Sequence, residues 1–302
     1  MLDISDKITT LRTAKAQAIV KMSAETVKKI LNREVPKGDV VELTKASAIV
    51  GAKRTPDVLL FCHNIPIEWV HTEVEIEDEG RIIIEVQVKS IARTGCEMEA
   101  LTAASCAALT VYDMCKPLDN GMVILSVKLL EKSGGKSQFK EKIPVGLKTG
   151  VLVISDSVSA GKKKDTAGKN ILRKLEKIGI DDAQYKIVPD ENEDIRNCII
   201  EWCETGYELI ITTGGTGLSP RDITPEAIHP LIEKEIPGIM EAARSYGQNK
   251  TPYSMLSRGI AGLKGKTLIL TLPGSSSGAK ESMNALFPYV IHLYKMMEGG
   301  KH

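Results

Sequence analysis

Hydrophobic and polar residues in the first half of the chain follow two periods, in an order that mixes strands with helices. Residues 13–22 alternate and predict a strand, after which Ser23 caps a helix that runs to about residue 32. A second helix begins at residues 37–39 and extends towards residue 52. The other predicted elements are a hairpin of residues 69–77 and 81–92, a helix over residues 97–116 and a strand over residues 122–131. This order predicts an α+β domain.

The helix predicted over residues 97–116 has the longest helical pattern in the chain. A stripe at helical spacing consists of Met98, Leu101, Ser105, Ala108, Leu109 and Tyr112. Small residues beside this stripe, among them Ala103, Ala104 and Ala107, would let the helix pack closely on a sheet.

The second half of the chain changes to regular alternation of strands and helices. Strands are predicted at residues 150–154, 184–188, 208–211 and 267–272, and helices at residues 167–178, 191–204, 225–233, 238–248 and 278–297. This order predicts an α/β domain with a doubly wound parallel sheet, which binds ligands at the carboxyl ends of its strands. A polar segment over residues 138–149, with Pro144 and Gly146, predicts a linker between domains 1–140 and 149–302.

Composition limits the classes of function. The chain has 302 residues, 42% of them apolar, with 40 Lys and Arg against 39 Asp and Glu. That balance leaves no net field to attract nucleic acid or an acidic membrane. The six cysteines contain no C-x-x-C pair, which favours reduced thiols over disulfides or zinc. Without an apolar run of about 18 residues or a signal segment, we expect a cytoplasmic protein without membrane spans.

A glycine-rich loop follows the strand predicted at residues 208–211. Its sequence is Thr212-Thr213-Gly214-Gly215-Thr216-Gly217, with Asp222 shortly before the next helix. Glycines let backbone amides approach an anion, and a helix start adds its positive dipole end. The spacing is neither the Rossmann nor the Walker pattern. The loop therefore predicts an anion site, and a turn with a purely topological role is the alternative.

Several polar groups in the first half fit phosphate binding and proton transfer. Asp113 and Lys116 share one face of a helix end, where an ordinary surface ion pair is the simpler explanation. Glu97 and Glu99 lie at a helix start, where the dipole alone accounts for acids, and His63 lies in a nearly apolar stretch. Together with Lys37, Lys53, Lys132 and Lys136, these residues supply four lysines for phosphates, as well as carboxylates and an imidazole for protons.

The motifs of residues 1–140 resemble those of the MoaC family, cyclic pyranopterin monophosphate synthase. The motifs are Lys37-Gly-Asp-Val, Lys53-Arg-Thr-Pro-Asp, Cys62-His63, Gly95-Cys-Glu-Met-Glu-Ala-Leu-Thr, Tyr112-Asp-Met-Cys-Lys and Lys132-Ser-Gly-Gly-Lys-Ser. The resemblance implies a ferredoxin-like fold, a hexamer with active sites at a subunit interface, and conversion of a cyclic dihydro-GTP to cyclic pyranopterin monophosphate with release of pyrophosphate. It implies no cofactor. Cys96 and Asn64 stand where the family usually has valine and proline.

Carried over position by position, this resemblance implies two groups of site residues. The catalytic group consists of Asp113, Lys116, Lys37 and Lys53. The substrate-binding group consists of Phe61, Cys62, His63, Glu97, Met98, Glu99, Lys132 and Lys136.

The loops of residues 149–298 resemble those of the MogA/MoaB family, molybdopterin adenylyltransferase. The matching segments are Ser155-Asp156, Pro189-Asp190-Glu191, the glycine loop, Arg221-Asp-Ile-Thr-Pro and Leu272-Pro-Gly-Ser. The resemblance implies transfer of AMP from ATP to molybdopterin with Mg²⁺, and a trimer or hexamer. It implies Asp190 and Asp222 as catalytic acids and magnesium ligands. The implied substrate contacts are Ser155, Asp156, Gly214, Gly215, Thr216, Gly217, Ser219, Pro273, Gly274 and Ser275.

The two resemblances predict a bifunctional enzyme of molybdenum cofactor synthesis that forms a homo-oligomer, with a hexamer expected. Two alternatives stay open for the second domain, namely a pterin-binding scaffold without catalysis and a nucleotide hydrolase of the same fold. The run Lys162-Lys-Lys164 gives one loop more positive charge than the resemblance requires.

Overall fold

The computed structural model describes residues 1–135 and 138–299. The chain forms two compact units, Met1–Phe139 and Lys140–His302. Lys136, one of the predicted substrate-binding residues, lies outside the described residues.

The first unit packs helices on a four-stranded antiparallel sheet. Its elements are β1 (Thr10–Lys21), α1 (Ala24–Leu31), α2 (Val40–Val58), β2 (Trp69–Glu77), β3 (Arg81–Ala92), α3 (Glu97–Cys115) and β4 (Val123–Ser133). The strand order is β2-β3-β1-β4. Alternate residues of the two central strands are fully buried: Ala14, Ala16, Ala18 and Val20 on β1, and Ile82, Ile84, Val86 and Val88 on β3. The α+β class and the hairpin are therefore confirmed.

Both predicted helix starts are confirmed by their caps. The Ser23 side chain accepts from the Thr26 amide, and the Asp39 side chain accepts from the Glu42 amide at 3.1 Å. The predicted end of α2 near residue 52 is wrong, because the helix continues through Pro56 to Val58. The Leu59 amide donates to Thr55 O at 3.0 Å, so helical bonding resumes after the proline.

Small residues form the packed face of α3, as expected. Ala100, Ala103, Ala104, Ala107 and Ala108 are all inaccessible to solvent. Two large members of the apolar stripe lie outside, since Met98 is 42% exposed and Leu109 is 58% exposed. Close approach of the helix favours its short side chains, which leaves those two large ones at the surface.

The second unit is a sheet with helices on both faces. Its strands are β5 (Thr149–Ile154), β6 (Gln184–Val188), β7 (Leu209–Thr213), β8 (Lys234–Glu235), β9 (Ala261–Lys264) and β10 (Thr267–Leu272). Its helices are α4 (Asp156–Ser159), α5 (Ala167–Glu176), α6 (Asn192–Glu204), α7 (Thr224–Ile228), α8 (Pro237–Gln248), α9 (Ser276–Leu286) and α10 (His292–Met297). Short 3₁₀ turns cover His229–Leu231, Pro252–Leu256 and Tyr289–Ile291.

The strand order of this sheet is β6-β5-β7-β10-β9-β8, and its first four strands are parallel. The four strands predicted from the sequence form this parallel part, as expected, and β9 and β8, which the sequence did not predict, add antiparallel pairs. Every residue of β5, β7 and β10 is buried, which explains their continuous apolar sequences. Two hydrophobic clusters cover the two faces of the sheet.

Two further predictions for this unit are corrected by the structure. The closing helix over residues 278–297 is interrupted after Leu286, because Pro288 has no amide to continue the helix. The predicted linker is partly ordered against the second unit. Glu141 accepts from His292 Nδ1 at 2.9 Å and from Lys295 Nζ at 2.7 Å, and Leu147 is buried. In the described part of the chain, no helix is both long and apolar enough to cross a bilayer.

Candidate active sites

A cavity of about 660 Å³ lies in the first unit, where the segment after α2 meets the start of α3. Its lining includes all seven described members of the predicted substrate-binding group: Phe61, Cys62, His63, Glu97, Met98, Glu99 and Lys132. Gly95 also lines it, and a Cβ there would lie 1.9 Å from Glu97 Oε2. Any side chain at position 95 would therefore displace the Glu97 carboxylate.

The cavity holds two carboxyl groups with opposite electrostatic environments. Glu99 is 2% exposed, and its Oε2 atom has no hydrogen-bond partner among the described residues. Burial raises the pKa of Glu99. Burial is the largest single effect on Glu97 and raises its pKa, but the hydrogen bond from Lys132 Nζ at 3.0 Å, a backbone hydrogen bond and the charges of Lys132 and Arg12 together outweigh it and lower the pKa. One carboxyl is thus suited to carry a proton and the other to remain charged.

Cys62 and His63 border the same cavity. The Cys62 thiol lies 3.8 Å from Glu99 Oε1, and burial, together with the charge of Glu99, raises the pKa of that thiol. His63 Nε2 lies 2.9 Å from Leu2 O. The raised thiol pKa disfavours a thiolate nucleophile at this position.

A second cluster lies at the opposite end of α3. Asp113 accepts from Lys116 Nζ at 2.7 Å and from Lys37 Nζ at 2.7 Å. These two hydrogen bonds, from Lys116 first and then Lys37, lower the pKa of Asp113 to about 2. The hydrogen bond to Asp113 also raises the pKa of Lys116. The cluster combines two ammonium groups with one carboxylate at the protein surface.

The two clusters do not meet within one chain. Glu97 and Asp113 are 16 positions apart on α3, which at the helical rise corresponds to about 24 Å. Lys53 lies exposed in the last turns of α2 and lines neither cluster. The helix predicted over residues 97–116 already placed Glu97 and Asp113 at opposite ends, and the structure confirms this separation.

The candidate site of the second unit lies at the carboxyl ends of β5, β6, β7 and β10. It is a cavity of about 190 Å³, and its lining includes six predicted residues: Ser155, Asp190, Gly214, Gly215, Asp222 and Gly274. β5 leads through α5 to β6 on one side, whereas β7 lies on its other side. The cavity is therefore at the topological switch point, where open α/β sheets bind ligands.

Two glycines in the loop after β7 have backbone conformations that other residues rarely adopt. Gly214 has φ +108°, and a Cβ there would lie 2.0 Å from Ile154 O. Gly215 has φ +61°, and a Cβ there would lie 2.2 Å from Thr224 Oγ1. Thr224 Oγ1 donates to Gly214 O at 2.9 Å and fixes the turn. This loop lies too close to its neighbours to carry side chains at these two positions, and both glycines line the cavity.

Two hydrogen bonds join Asp190 and Asp156, and in each of them a carboxylate accepts from the backbone amide of the other residue. The Asp156 amide donates to Asp190 Oδ2 at 2.8 Å, and the Asp190 amide donates to Asp156 Oδ1 at 3.0 Å. Burial raises the pKa of Asp190, and the charges of Asp156 and Asp222 raise it further. Arg221 binds Asp156 through Nε and Nη2, both at 3.0 Å, and Nη2 also donates to Glu191 at 2.9 Å.

Arg258 is a residue of this site that sequence motifs did not identify. Its Nε donates to Gly217 O at 2.7 Å, its Nη2 donates to Asp222 O, and its amide donates to Thr216 O at 3.1 Å. It also pairs with Glu226. Arg258 thus spans the loop that carries Asp222. It lies 36 positions beyond Asp222 in a segment without a motif, so the sequence held no signal for it.

The remaining predicted contacts surround the cavity without lining it. Ser275 caps α9 by accepting from the Gly278 amide at 3.2 Å, and the Ser219 amide donates to Asp222 Oδ2 at 2.8 Å. Asp156, Thr216, Gly217 and Pro273 also lie outside the lining. Lys163, Lys164, Asp165 and Thr166 line the cavity, although the resemblance did not include them.

The donor set at Asp190 and Asp222 fits Mg²⁺. No group of three or more His, Cys, Asp or Glu is placed to hold a metal within residues 1–135 and 138–299. Mg²⁺ usually takes one or two carboxylates together with substrate phosphates and water. Asp190 and Asp222 each use Oδ2 for a backbone amide, and Asp190 Oδ1 points towards Gly215. Two carboxylates beside a phosphate cradle therefore suit this ion.

Comparison with known proteins assigns the two units of the chain to two different families. Residues 1–135 match the MoaC family, and residues 150–292 match a family described as a probable molybdopterin binding domain. The molybdenum cofactor biosynthesis bifunctional protein of Chlorobaculum tepidum is 39% identical over 302 residues, which cover 100% of this chain and 96% of the relative. The cyclic pyranopterin monophosphate synthase of Aquifex aeolicus is 53% identical over 142 residues, 47% of this chain and 56% of that protein. A crystal structure of the molybdopterin biosynthesis enzyme MoaB from Thermus thermophilus is 43% identical and covers 51% of this chain and 97% of its own, with a TM-score of 0.47.

Proposed function

Because the chain belongs to the family of bifunctional molybdenum cofactor biosynthesis proteins, with a MoaC domain followed by a MogA/MoaB-type domain, we propose that it catalyses two separate reactions of that pathway. The first unit converts a cyclic dihydro-GTP to cyclic pyranopterin monophosphate and releases pyrophosphate. The second unit transfers AMP from ATP to molybdopterin and also releases pyrophosphate.

The observation that supports the first reaction most directly is Glu99, a buried carboxyl with a partnerless oxygen at a cavity of about 660 Å³, within the part of the chain that the structure describes. That volume suits a pterin-sized ligand. A buried carboxyl whose pKa is raised holds its proton more tightly than an exposed one and is suited to exchange it with a substrate. Glu97 and Lys132 form an ion pair beside it and orient polar edges of the substrate. Lys37, Lys53 and Lys116 supply positive charge for the triphosphate, and Asp113 orients the ammonium groups of Lys37 and Lys116.

We infer that a second copy of the chain completes this site. The cavity and the Asp113 cluster are about 24 Å apart on one helix, too far to act on one small substrate. In a symmetric pair of chains, the Asp113 end of one α3 would meet the cavity of its partner. This arrangement agrees with the expected hexamer.

The ferredoxin-like description of the unit is also part of the proposal. It rests on the strand order β2-β3-β1-β4, with helical connections after β1 and β3.

The proposal for the second reaction rests on the glycine loop of the second unit, with Asp190 and Asp222 beside it. Gly214 and Gly215 offer close backbone approach to phosphates, and the two acids would hold Mg²⁺. When bound, that ion neutralises charge on the polyphosphate. A cavity of about 190 Å³ encloses phosphates and leaves the nucleoside and the pterin on the open surface beyond it. Arg258 keeps Asp222 in position from behind the loop.

Two assays of the purified full chain test the proposal. The first follows formation of cyclic pyranopterin monophosphate and pyrophosphate from the cyclic dihydro-GTP. The second supplies molybdopterin, ATP and Mg²⁺ and follows the adenylated product. Tight binding of molybdopterin without AMP transfer would instead indicate a scaffold, and pyrophosphate release without molybdopterin would indicate a hydrolase.

A further inference from the structure

The cavity of the second unit is lined by more acidic side chains than basic ones. Asp165, Asp190 and Asp222 line it, and its cationic lining residues are Lys163 and Lys164. Arg221 is not in the lining and is bound by Asp156 and Glu191. Any favourable contact between a cationic side chain of this cavity and an anionic ligand therefore involves the two lysines.

The loop that carries these lysines is anchored on both sides. At its start, the amides of Lys162 and Lys163 both donate to Ser157 O, at 2.9 and 3.0 Å. Gly161, with φ +69°, provides the tight turn before them. At its end, Asp165 accepts from the amides of Gly168 and Lys169 at the start of α5.

Asp165 directs its carboxylate to the start of α5 and to Tyr185, and it forms no ion pair with Lys163 or Lys164. Its Oδ1 accepts from Gly168 at 3.0 Å, and its Oδ2 accepts from Lys169 at 3.1 Å and from the Tyr185 hydroxyl at 2.7 Å. Lys163 and Lys164 form no ion pair with any residue that the structure describes. Both are exposed side chains at the rim of an acid-rich cavity, where their ammonium groups are available to a ligand.

We propose that Lys163 and Lys164 bind the β- and γ-phosphates of a nucleoside triphosphate and so select triphosphates over monophosphates. This inference rests on the proposed nucleotide function. The cavity combines the components of a polyphosphate site. These are two acids suited to Mg²⁺, two ammonium groups without a carboxylate partner among the described residues, and the backbone of Gly215 and Gly274 in its lining. The cavity of about 190 Å³ has room for phosphates and excludes the nucleoside. Lys162 belongs to the same run but does not line the cavity, so the assignment omits it.

The pterin substrate also carries a phosphate, as a monoester, and ammonium groups bind the phosphate oxygens of either substrate. The triphosphate of ATP is longer and more highly charged than the phosphate monoester of the pterin. A site for the β- and γ-phosphates binds inorganic triphosphate and ATP but gains little from AMP, whereas a site for a monoester binds AMP and inorganic phosphate equally well through the same lysines.

The test is calorimetric titration of the full-length protein with Mg-ATP, inorganic triphosphate and AMP. The double variant Lys163→Ala/Lys164→Ala should raise the Kd for Mg-ATP and for triphosphate by about a hundredfold, at roughly tenfold for each charge-assisted contact. Its Kd for AMP should change by less than about threefold, because AMP lacks the two phosphates concerned. The matched control Lys162→Ala should stay within about twofold, since a screened surface charge contributes little. The variant Lys163→Arg/Lys164→Arg should restore most of the affinity.

Two results would overturn the inference while leaving the proposed function intact. In one, the double alanine variant binds Mg-ATP as tightly as the unmodified protein. In the other, its affinities for AMP and for triphosphate fall by the same factor, which would mean that the lysines bind a single phosphate. If the unmodified protein binds none of the three probes, both the inference and the nucleotide function of the second unit are wrong.

Discussion

Asp156 and Asp190 each accept a hydrogen bond from the other's backbone amide, at distances of 3.0 and 2.8 Å. This exchange joins the loops after β5 and β6 and fixes the direction of both carboxylates. It leaves Asp190 Oδ1 directed towards the glycine loop.

Replacing Asp190 with asparagine separates its chemical role from its structural one. In Asp190→Asn, the amide oxygen of the new side chain can still accept from the Asp156 amide, so the fold should persist. The charge that would hold Mg²⁺ is lost. AMP transfer should fall by about a hundredfold or more, since a catalytic metal contributes several kcal/mol. Rates measured over a Mg²⁺ titration check this.

The control for that experiment is Asp181→Asn, which removes an exposed carboxylate elsewhere in the same unit. It should leave AMP transfer unchanged. Neither variant should alter formation of cyclic pyranopterin monophosphate. A rate for Asp190→Asn close to that of Asp181→Asn would remove Asp190 from the catalytic set.

The close packing of the glycine loop predicts an unusually costly alanine substitution. In Gly214→Ala, the new Cβ would lie 2.0 Å from the backbone oxygen of Ile154, which has no room to move. The matched control is Gly161→Ala, whose φ of +69° is also left-handed but whose Cβ would meet nothing within 4 Å. Urea unfolding should show a loss of about 1 kcal/mol for the control, from backbone strain alone, and about 3 kcal/mol or more for Gly214→Ala. Equal losses would mean that strain, and not close packing, decides the cost.

The two glutamates of the first cavity should show opposite effects of pH on stability. Burial raises the folded pKa of Glu99, so the folded state binds its proton more tightly than the unfolded state does. Its contribution to the free energy of unfolding is therefore present at low pH and is lost as pH rises above the ordinary value of 4.5. The variant Glu99→Gln should gain stability over the unmodified protein as pH rises through this range.

Glu97 has a lowered pKa, despite its burial, because Lys132 binds it. Its contribution is present above the ordinary pKa and is lost as pH falls through the folded pKa. The variant Glu97→Gln should therefore lose stability relative to the unmodified protein at neutral pH, and the difference should shrink in acid. Unfolding midpoints measured from acid to neutral pH test both variants, and slopes of the same sign would contradict the electrostatic description of the cavity.

Local sequence patterns were sufficient where a local interaction determines the structure. The cap at Ser23 follows from residue type and position alone, and the structure confirms it, as it confirms the predicted helix start at residues 37–39. The alanines of α3 indicated close packing for the same reason. The predicted end of the second helix near residue 52 was wrong, because α2 continues through Pro56 to Val58 and packs on α3, with Gly51 against Cys106.

The arrangement of the candidate sites depended on tertiary structure, which local patterns do not contain. The motifs named seven residues of the first cavity, and the predicted helix placed Asp113 at its far end, but the cavity itself forms only where the segment after α2 meets the start of α3. Arg258 has no motif, and its role follows only from its hydrogen bonds to Gly217 and Asp222. The burial of Glu99, and hence its raised pKa, results from the packing of the cavity wall.

The central claim is that the first active site combines the cavity of one chain with the Asp113 cluster of another. Complementation between two inactive variants, Lys116→Ala and Glu99→Gln, tests it most directly. Co-expressed with different tags and purified as mixed oligomers, the two should recover about a quarter of normal pyranopterin formation, because about half of randomly formed pairs are mixed and each mixed pair contains one intact site of two. As a control, Glu99→Gln with Glu97→Gln should recover nothing, since both changes lie in the cavity. If Lys116→Ala with Glu99→Gln stays as inactive as the separate variants, the site lies within one chain and the claim is wrong.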